Sequence, residues 1–267
     1  MEDLTAKEYE QIWDDGAEER ASMRRLRKYY DGIHAIVGQG EYYSDGTPKG
    51  EVVSNFIKAA VDLYVGAMSE TYNVTAIENN EDTEAVNDGP EVYRKIGTTN
   101  NFDTVDVTVR RDAYIYGWGI ETHEYIDEQV LITPRDPAMW RRVYDANGDL
   151  IGLITMHTMH EGGFYNDERL STDLDIMVVY TKSTIKTFHR MDSDWYTPGA
   201  FPDTAHFYGR VPATIYRVNE SMTTHITEDV IGLQDEYNEI DSASGDNVKS
   251  ESDGILALVG FSPKDVQ

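Results

Sequence analysis

The chain has 267 residues, enough for one large domain or two smaller ones with a substantial core. It contains no cysteine, which excludes disulfides and thiolate metal sites, and it has no apolar run long enough to span a bilayer. With 49 acidic and 23 basic residues, its formal net charge is −26 at pH 7. Such a surface repels nucleic-acid phosphates, which argues against a sequence-specific DNA-binding protein. Adaptation to high salt is an alternative cause of the acidity.

The first thirty residues have the pattern of a helix. Thr5 can cap its N-terminus, and Gly16 is expected to break the helix into two pieces. The second piece ends in the only dense basic cluster of the chain, Met23–Tyr30. This cluster indicates contact with nucleic acid or an acidic neighbouring subunit, or else a solvated helix face. In the second case the inward side chains are Met23, Leu26 and Tyr30.

Residues 38–101 are predicted to alternate between loops and short elements. The glycine-rich loop over residues 38–50 lacks the GxxxxGK[ST] and GxGxxG patterns that hold phosphates. The further predictions are a helix over residues 55–66, a strand at Tyr72–Ile77, an acidic loop over residues 78–89 and a helix with Pro90 at its first position. The apolar face of the first of these helices is Ile57, Ala60, Val61, Tyr64 and Val65.

The middle of the chain changes from helical spacing to alternation. A helix is predicted over residues 102–114, followed by strands over residues 120–132, 140–144, 150–156, 175–180 and 185–190, with a turn at Pro134–Pro137. Asn147-Gly148 is a strong hairpin signal between two of these strands. A calcium loop is the competing interpretation, but the glycine falls at the fourth position instead of the sixth.

No motif in the chain predicts catalysis. His157 and His160 are three residues apart directly after a predicted strand. In an extended β context their side chains point to opposite faces, and no third ligand lies nearby, so the pattern does not favour a metal site. The GxSxG and HExxH patterns are absent. We therefore expect no enzyme, no cofactor and no metal. An acidic metal-dependent hydrolase stays open as an alternative, because carboxylates are abundant everywhere.

The last quarter of the chain predicts strand, long helix and strand. The first strand lies within Phe207–Tyr216, and Thr227 is the expected N-cap of the helix. Asp253-Gly254 is expected to end the helix, and Ile255–Val259 to form a buried strand.

This helix carries one narrow apolar stripe among many acids. The stripe consists of Val230, Leu233, Tyr237, Ile240 and Val248. Such a helix suits a ring interface beside an acidic channel better than the centre of a monomer's core. The alternative is an amphipathic helix that lies on its own domain.

Several segments resemble, in the same order, the portal (head–tail connector) proteins of tailed bacteriophages, specifically the siphophage type. Asp112–Gly119 is similar to the family element DAxIYGxA. Phe207–Pro212, the long helix and Ile255–Gly260 are similar to the family's FG-x-VP, helix and ILVLxG arrangement. Weaker similarities lie at residues 29–36, 55–66, 134–145 and 179–188. The resemblance covers about residues 24–260.

The resemblance implies an α+β fold in three parts. Residues 1–225 would form a wing domain of helices and mostly antiparallel strands, residues 226–254 a stem helix, and residues 255–267 the start of a clip. It also implies a homo-oligomeric ring of about twelve subunits at one capsid vertex. The candidate ring-interface residues are Val230, Leu233, Tyr237, Ile240 and Val248. The candidate channel-facing acids are Asp235, Glu239 and Asp246.

The implied function is passage of viral double-stranded DNA during packaging and ejection. The implied partners are terminase, head-completion or adaptor proteins, and the major capsid or scaffolding protein, with no membrane involved. The protein would reside in the virion and, during assembly, in the host cytoplasm. Because portals continue beyond the clip, we expect this chain to lack the C-terminal part. Another ring-forming virion protein, such as an adaptor or minor head protein, is the alternative, although the β-rich middle argues against it.

Overall fold

The structure is a computed structural model that describes residues 1–40, 42, 49–68, 89–160, 164–165, 168–169, 172–190, 194–199 and 203–257. For residues 164–165, 168–169 and 249–257 it describes the backbone alone. The strand predicted at Tyr72–Ile77 and most of the acidic loop after it lie outside these residues. None of the described helices is long and apolar enough to cross a membrane.

The chain begins with two helices, α1 (Ala6–Asp14) and α2 (Ala17–Tyr30). Thr5 caps α1 through a capping box with Glu8, and Gly16 lies between the two helices, as the sequence predicts. Met23, Leu26 and Tyr30 are buried, whereas Arg24, Arg25 and Lys28 of the basic cluster are exposed.

Three helices follow: α3 (Phe56–Ala67), α4 (Gly89–Asn100) and α5 (Phe102–Tyr116). The face that α3 buries is narrower than predicted. Ile57, Val61 and Val65 are buried, but Ala60 and Tyr64 are exposed, Tyr64 by 57 %. A narrow row of three buried side chains therefore attaches α3 to the core, and the rest of its apolar surface is exposed.

The strands are β1 (Trp118–Ile126), β2 (Gln129–Arg135), β3 (Arg141–Tyr144), β4 (Leu150–Met159), β5 (Phe164–Tyr165), β6 (Glu168–Arg169), β7 (Leu174–Tyr180), β8 (Thr184–Arg190), β9 (Trp195–Tyr196), β10 (Thr204–Ala205) and β11 (Ala213–Arg217). A 3-10 helix over Pro137–Met139 joins β2 to β3. The first sheet has the order β11-β1-β2. The second has the order β10-β8-β7-β4-β3, with β9 beside β8, and β5 pairs with β6. Every pairing is antiparallel, so the α+β prediction is confirmed.

The prediction of a single strand over residues 120–132 is wrong. The chain turns at Asp127 and Glu128, so this region is the hairpin of β1 and β2, and β2 runs through the predicted turn as far as Arg135. Both turn residues have positive φ, 49° and 61°, a conformation for which the sequence pattern Asp-Glu is not a signal.

The hairpin predicted at Asn147-Gly148 is confirmed. Gly148 has φ +85°, and the carboxylate of Asp145 accepts hydrogen bonds from the amides of Asn147 and Asp149, each at 2.9 Å. The Asp145 carboxylate is thus used to close the turn between β3 and β4.

The main core joins helices to both sheets. Trp118, Ile120 and Ile115 are fully buried between α5, α2 and the first sheet, and Leu153 extends the same cluster into the second sheet. A smaller cluster places Tyr9 and Trp13 of α1 on Met177, Val179 and Ile154. Arg142 of β3 connects the second sheet to the first sheet and to α2. Its guanidinium lies 3.8 Å over the ring of Trp118 and donates a hydrogen bond to the carboxylate of Glu19.

The last helix, α6 (Glu228–Ala257), is longer than predicted. It continues through Asp253 and Gly254, so these residues do not end it, and Ile255–Ala257 is helical instead of a strand. Residues 258–260 of the predicted strand lie outside the described residues. The strand predicted within Phe207–Tyr216 is confined to β11.

Candidate functional site

Helix α6 starts where the sequence places it. The Thr227 side chain accepts a hydrogen bond from the amide of Val230 at 3.4 Å, and Glu228 and Asp229 follow in the first turn. Arg25 of α2 binds the Glu228 carboxylate at 2.6 Å, which fixes the start of α6 beside the basic end of α2.

The buried face of α6 is polar. Between Glu228 and Val248, where the structure describes the side chains, Ile231 is the one fully buried apolar residue, while Gln234, Asn238 and Ser242 are each at most 5 % exposed. These three residues and Asp246 are spaced by one helical turn, and they accept hydrogen bonds from alternate backbone amides of Gly50–Phe56. The pairs, donor first, are Phe56 N–H to Gln234 Oε1 (3.0 Å), Ser54 N–H to Asn238 Oδ1 (3.2 Å), Val52 N–H to Ser242 Oγ (2.9 Å) and Gly50 N–H to Asp246 Oδ2 (2.9 Å). We call this set the polar ladder.

The polar ladder can form because the spacing of alternate residues in the extended segment matches the rise of four residues in the helix. Alternate residues of an extended chain are about 6.6 Å apart, and four residues of an α-helix rise about 6 Å. The extended segment Gly50–Phe56 therefore lies along α6 and not beside another strand. Side chains of α6 accept the hydrogen bonds of the backbone amides that a neighbouring strand would accept in a sheet. Gln234 also donates to the carbonyl of Ser54 at 2.8 Å.

A buried histidine is attached to the centre of the polar ladder. His34 is 3 % exposed, and its Nε2 lies 2.9 Å from the carbonyl of Tyr29. Because that carbonyl can only accept, Nε2 donates and Nδ1 accepts from the Asn238 amide at 2.7 Å. These two hydrogen bonds fix the orientation of the ring.

The predicted apolar stripe lies on the side of α6 that the described part of the chain leaves uncovered. The exposed fractions are 38 % for Val230, 67 % for Leu233, 42 % for Tyr237, 59 % for Ile240 and 68 % for Val248. One side chain of α3 adjoins this surface: the Phe56 ring meets the Tyr237 ring edge-on at 4.8 Å. Contiguous apolar surface of this kind marks an interaction site.

The three candidate channel-facing acids have different surroundings. Asp235 accepts a hydrogen bond from the Tyr29 hydroxyl at 2.7 Å, and Asp246 belongs to the polar ladder. Both are half-buried against their own chain, whereas Glu239 is exposed. Of the three, Glu239 is free to face a channel without breaking a bond within the subunit.

The motif Asp112–Gly119 joins α5 to β1. Asp112 is 5 % exposed, and the guanidinium of Arg27 lies 3.6 Å from its carboxylate. Burial, with a smaller contribution from Asp136, raises the pKa of Asp112 to about 7 against the opposing effects of Arg27 and Arg111.

This pKa predicts a stability that falls as pH rises. Between about pH 4 and pH 7 the folded chain holds a proton on Asp112 that the unfolded chain has released, so each pH unit costs about 1.4 kcal/mol and the total loss is about 4 kcal/mol. We expect Asp112→Asn to remove this slope. Urea unfolding of both proteins from pH 4 to pH 8 measures it, with the exposed Glu18→Gln as the matched control. A parallel pH profile for Asp112→Asn and the parent would contradict the raised pKa.

The histidines considered as metal ligands are separate in the structure. His157 lies on β4 opposite Ile176, and His160 is exposed beside Asp173 at 3.3 Å. In the part of the chain that the structure describes, no group of three or more His, Asp or Glu residues could hold a metal ion.

A family model described as "Phage portal protein, SPP1 Gp6-like" matches residues 9–267, nearly the whole chain. The chain belongs to this family of phage portal proteins. A comparison with curated protein sequences finds no match. Portal membership implies a structural, non-enzymatic virion protein that forms a ring oligomer at the capsid vertex together with the viral DNA.

In this portal, sequence reasoning found the exposed stripe of α6 but missed the opposite face. The polar ladder leaves a signal that could have been used, since Gln234, Asn238, Ser242 and Asp246 recur every four residues in a helix that otherwise lacks a wide apolar face. Their partners could not be identified, because backbone amides carry no sequence information.

Proposed function

We propose that this portal forms a ring of about twelve subunits through which double-stranded DNA enters the capsid and later leaves it. The match to the portal family over residues 9–267 carries the proposal. Terminase during packaging, head-completion or adaptor proteins afterwards, and the major capsid or scaffolding protein are the proposed partners. Assembly takes place in the host cytoplasm, and the product is part of the virion.

We further propose that α6 is the stem helix and that its apolar stripe contacts the neighbouring subunit. The support is the exposure of Leu233, Ile240 and Val248, each more than half exposed in the isolated chain. Burying one such side chain contributes about 1.5–3 kcal/mol. The polar ladder supports the same proposal, since it attaches α6 to its own subunit without using the stripe.

The charge of α6 suits a channel wall. Over Glu228–Ala257 the helix has nine acids and one basic residue, Lys249. DNA affinity comes largely from cationic contacts with phosphates, so a wall with so few cations lets DNA pass without holding it. Glu239 is the acid that we place on the channel side.

Native mass spectrometry with negative-stain imaging tests the ring. We expect the parent chain to form closed rings, and Leu233→Asp or Ile240→Asp to leave folded monomers, because a buried unpaired carboxylate is costly. Phe207→Asp is the matched control, since Phe207 is 74 % exposed but lies far from α6 in the sequence and outside the stripe. A parent chain that stays monomeric would contradict the ring, and intact rings in both stripe variants would contradict the assigned interface.

A further inference from the structure

A cavity of about 420 Å³ lies between the start of α5, the adjoining α4 and the first sheet. Three aromatic rings line it, from Tyr93, Phe102 and Tyr216, together with three carboxylates, from Asp103, Asp106 and Glu121. We call it the acid–aromatic cavity. Tyr93 and Phe102 meet edge-on at 5.3 Å, and Gly97 leaves the space that the Phe102 ring fills.

The carboxylates of the cavity are only partly satisfied. Glu121 is 7 % exposed, and its Oε1 accepts from the Tyr216 hydroxyl at 3.1 Å and lies 3.2 Å from His123. Asp106 is paired with Arg110 at 2.9 Å. Asp103 is exposed at the rim and has no partner among the described residues. Among the described residues that line the cavity there is no lysine or arginine.

This lining is suited to an organic cation. The carboxylates do not form a group that could share a metal ion, within the residues the structure describes. Aromatic faces attract ammonium and, above all, guanidinium groups, and carboxylates accept several hydrogen bonds from a guanidinium. The cavity therefore favours an arginine or lysine side chain as its ligand.

The chain itself offers that ligand on α2. Within the basic cluster Met23–Tyr30, Arg25 binds Glu228 and Arg27 binds Asp31. Arg24 and Lys28 lie one turn apart, are exposed, and make no hydrogen bond or ion pair in the described part of the chain. They are thus available to a second molecule.

The positions of ligand and cavity fit a ring. Head-to-tail rings require two different surfaces, which meet between neighbouring copies. The cavity includes Asp103 at the start of α5, and α2 contacts Asp112 near its end. Nine residues of helix separate the two by about 14 Å. Among the described residues, neither Arg24 nor Lys28 lines the cavity of its own subunit.

We propose that the acid–aromatic cavity receives Arg24 of the neighbouring subunit, with Lys28 at its rim beside Asp103. The inference rests on the proposed ring and names one of its contacts. It gives the single dense basic cluster of a very acidic chain a defined partner, and it accounts for the cavity's aromatic and acidic lining.

The cysteine-free chain allows a direct test. Lys28→Cys and Asp103→Cys variants are prepared separately, mixed, assembled and treated with a short bis-maleimide crosslinker. We expect a covalent dimer that contains one chain of each variant. Lys7→Cys mixed with Asp103→Cys is the control, because Lys7 lies on α1 beside Asp194 and should give no dimer.

A second measurement changes single side chains of the proposed contact. We expect Arg24→Ala and Glu121→Gln each to raise the concentration needed for ring assembly at least tenfold, and Lys7→Ala to leave it unchanged. Circular dichroism checks that each variant is folded. If the parent forms rings but the mixed Lys28→Cys and Asp103→Cys variants give no crosslinked dimer, this inference alone is overturned. A parent that forms no ring overturns the proposed ring, and this contact with it.

Discussion

Replacing Gly117 by alanine is expected to leave little or no folded protein. Gly117 ends α5 with φ +90°, and a Cβ built on it would lie 2.2 Å from the carbonyl oxygen of Met222 and 2.6 Å from the carbonyl carbon of Thr223. Backbone atoms cannot give way as a flexible side chain does. The positive φ alone costs about 1 kcal/mol, and the clash raises the total to about 4 kcal/mol or more.

The effect of the Gly117→Ala substitution extends beyond the end of α5. The Gly117 amide donates to the carbonyl of Ala113 at 2.8 Å, and its own carbonyl accepts from Val218 at 3.2 Å, so this residue joins α5, β1 and the chain after β11. Displacing it separates the helix from the sheet that it covers. This requirement explains physically why glycine follows Asp112–Tyr116 in the motif.

Soluble yield and urea unfolding test this expectation. Gly148→Ala is the matched control, because Gly148 has a similar φ of +85° but no atom within 4 Å of the added Cβ. We expect the control to lose about 1 kcal/mol. Equal losses in the two variants would show that the close approach to Met222 is not the cause.

Replacing Asn238 by leucine is expected to detach α6 from its own subunit. Asn238 is fully buried, and its carboxamide accepts from the Ser54 amide and from Gln234 and donates to His34 Nδ1. Leucine has a similar size but leaves the Ser54 amide and His34 Nδ1 without a partner, and it removes one of the two hydrogen bonds that the Gln234 side-chain amide donates. Each buried unsatisfied group costs about 1–3 kcal/mol, so we expect a loss of about 3–5 kcal/mol.

Hydrogen exchange distinguishes local detachment from general destabilisation. The amides of Val52, Ser54 and Phe56, which donate to the polar ladder, should lose protection at lower urea concentration than the amides of β7. Asn247→Leu is the matched control, since Asn247 lies on the exposed side of the same helix. Unchanged exchange at the polar ladder in Asn238→Leu would remove its assigned role.

We assign different roles to the two faces of α6, attachment to its own subunit for the polar ladder and contact with a neighbouring subunit for the apolar stripe. Directional hydrogen bonds hold the helix in one register on its own subunit, because each side chain must meet one amide. In the proposed ring, the apolar face contacts a neighbouring subunit, and non-directional burial provides the free energy of association. A helix built the other way round would bury its apolar stripe in the monomer and leave hydrogen-bonding groups to form the ring.

Local signals predicted local structure well. Thr5 and Thr227 cap helices, Pro90 lies in the first turn of α4, and Asn147-Gly148 forms a hairpin, all as expected from chemistry within a few residues. The end of α6 was mispredicted because Asp253-Gly254 is a weak stop that continued helical hydrogen bonding overrides.

The sequence by itself determined the α+β class, most elements, the portal resemblance and the narrow stripe of α6, because periodicity and capping depend on near neighbours. Only the tertiary structure decided which face of α6 its own chain covers. That choice depends on amides of Gly50–Phe56, some 180 residues away in the chain, and on their spacing along the helix. Hydrophobic periodicity identifies an apolar face but not whether it is covered, since a polar face that finds every hydrogen bond can be buried instead.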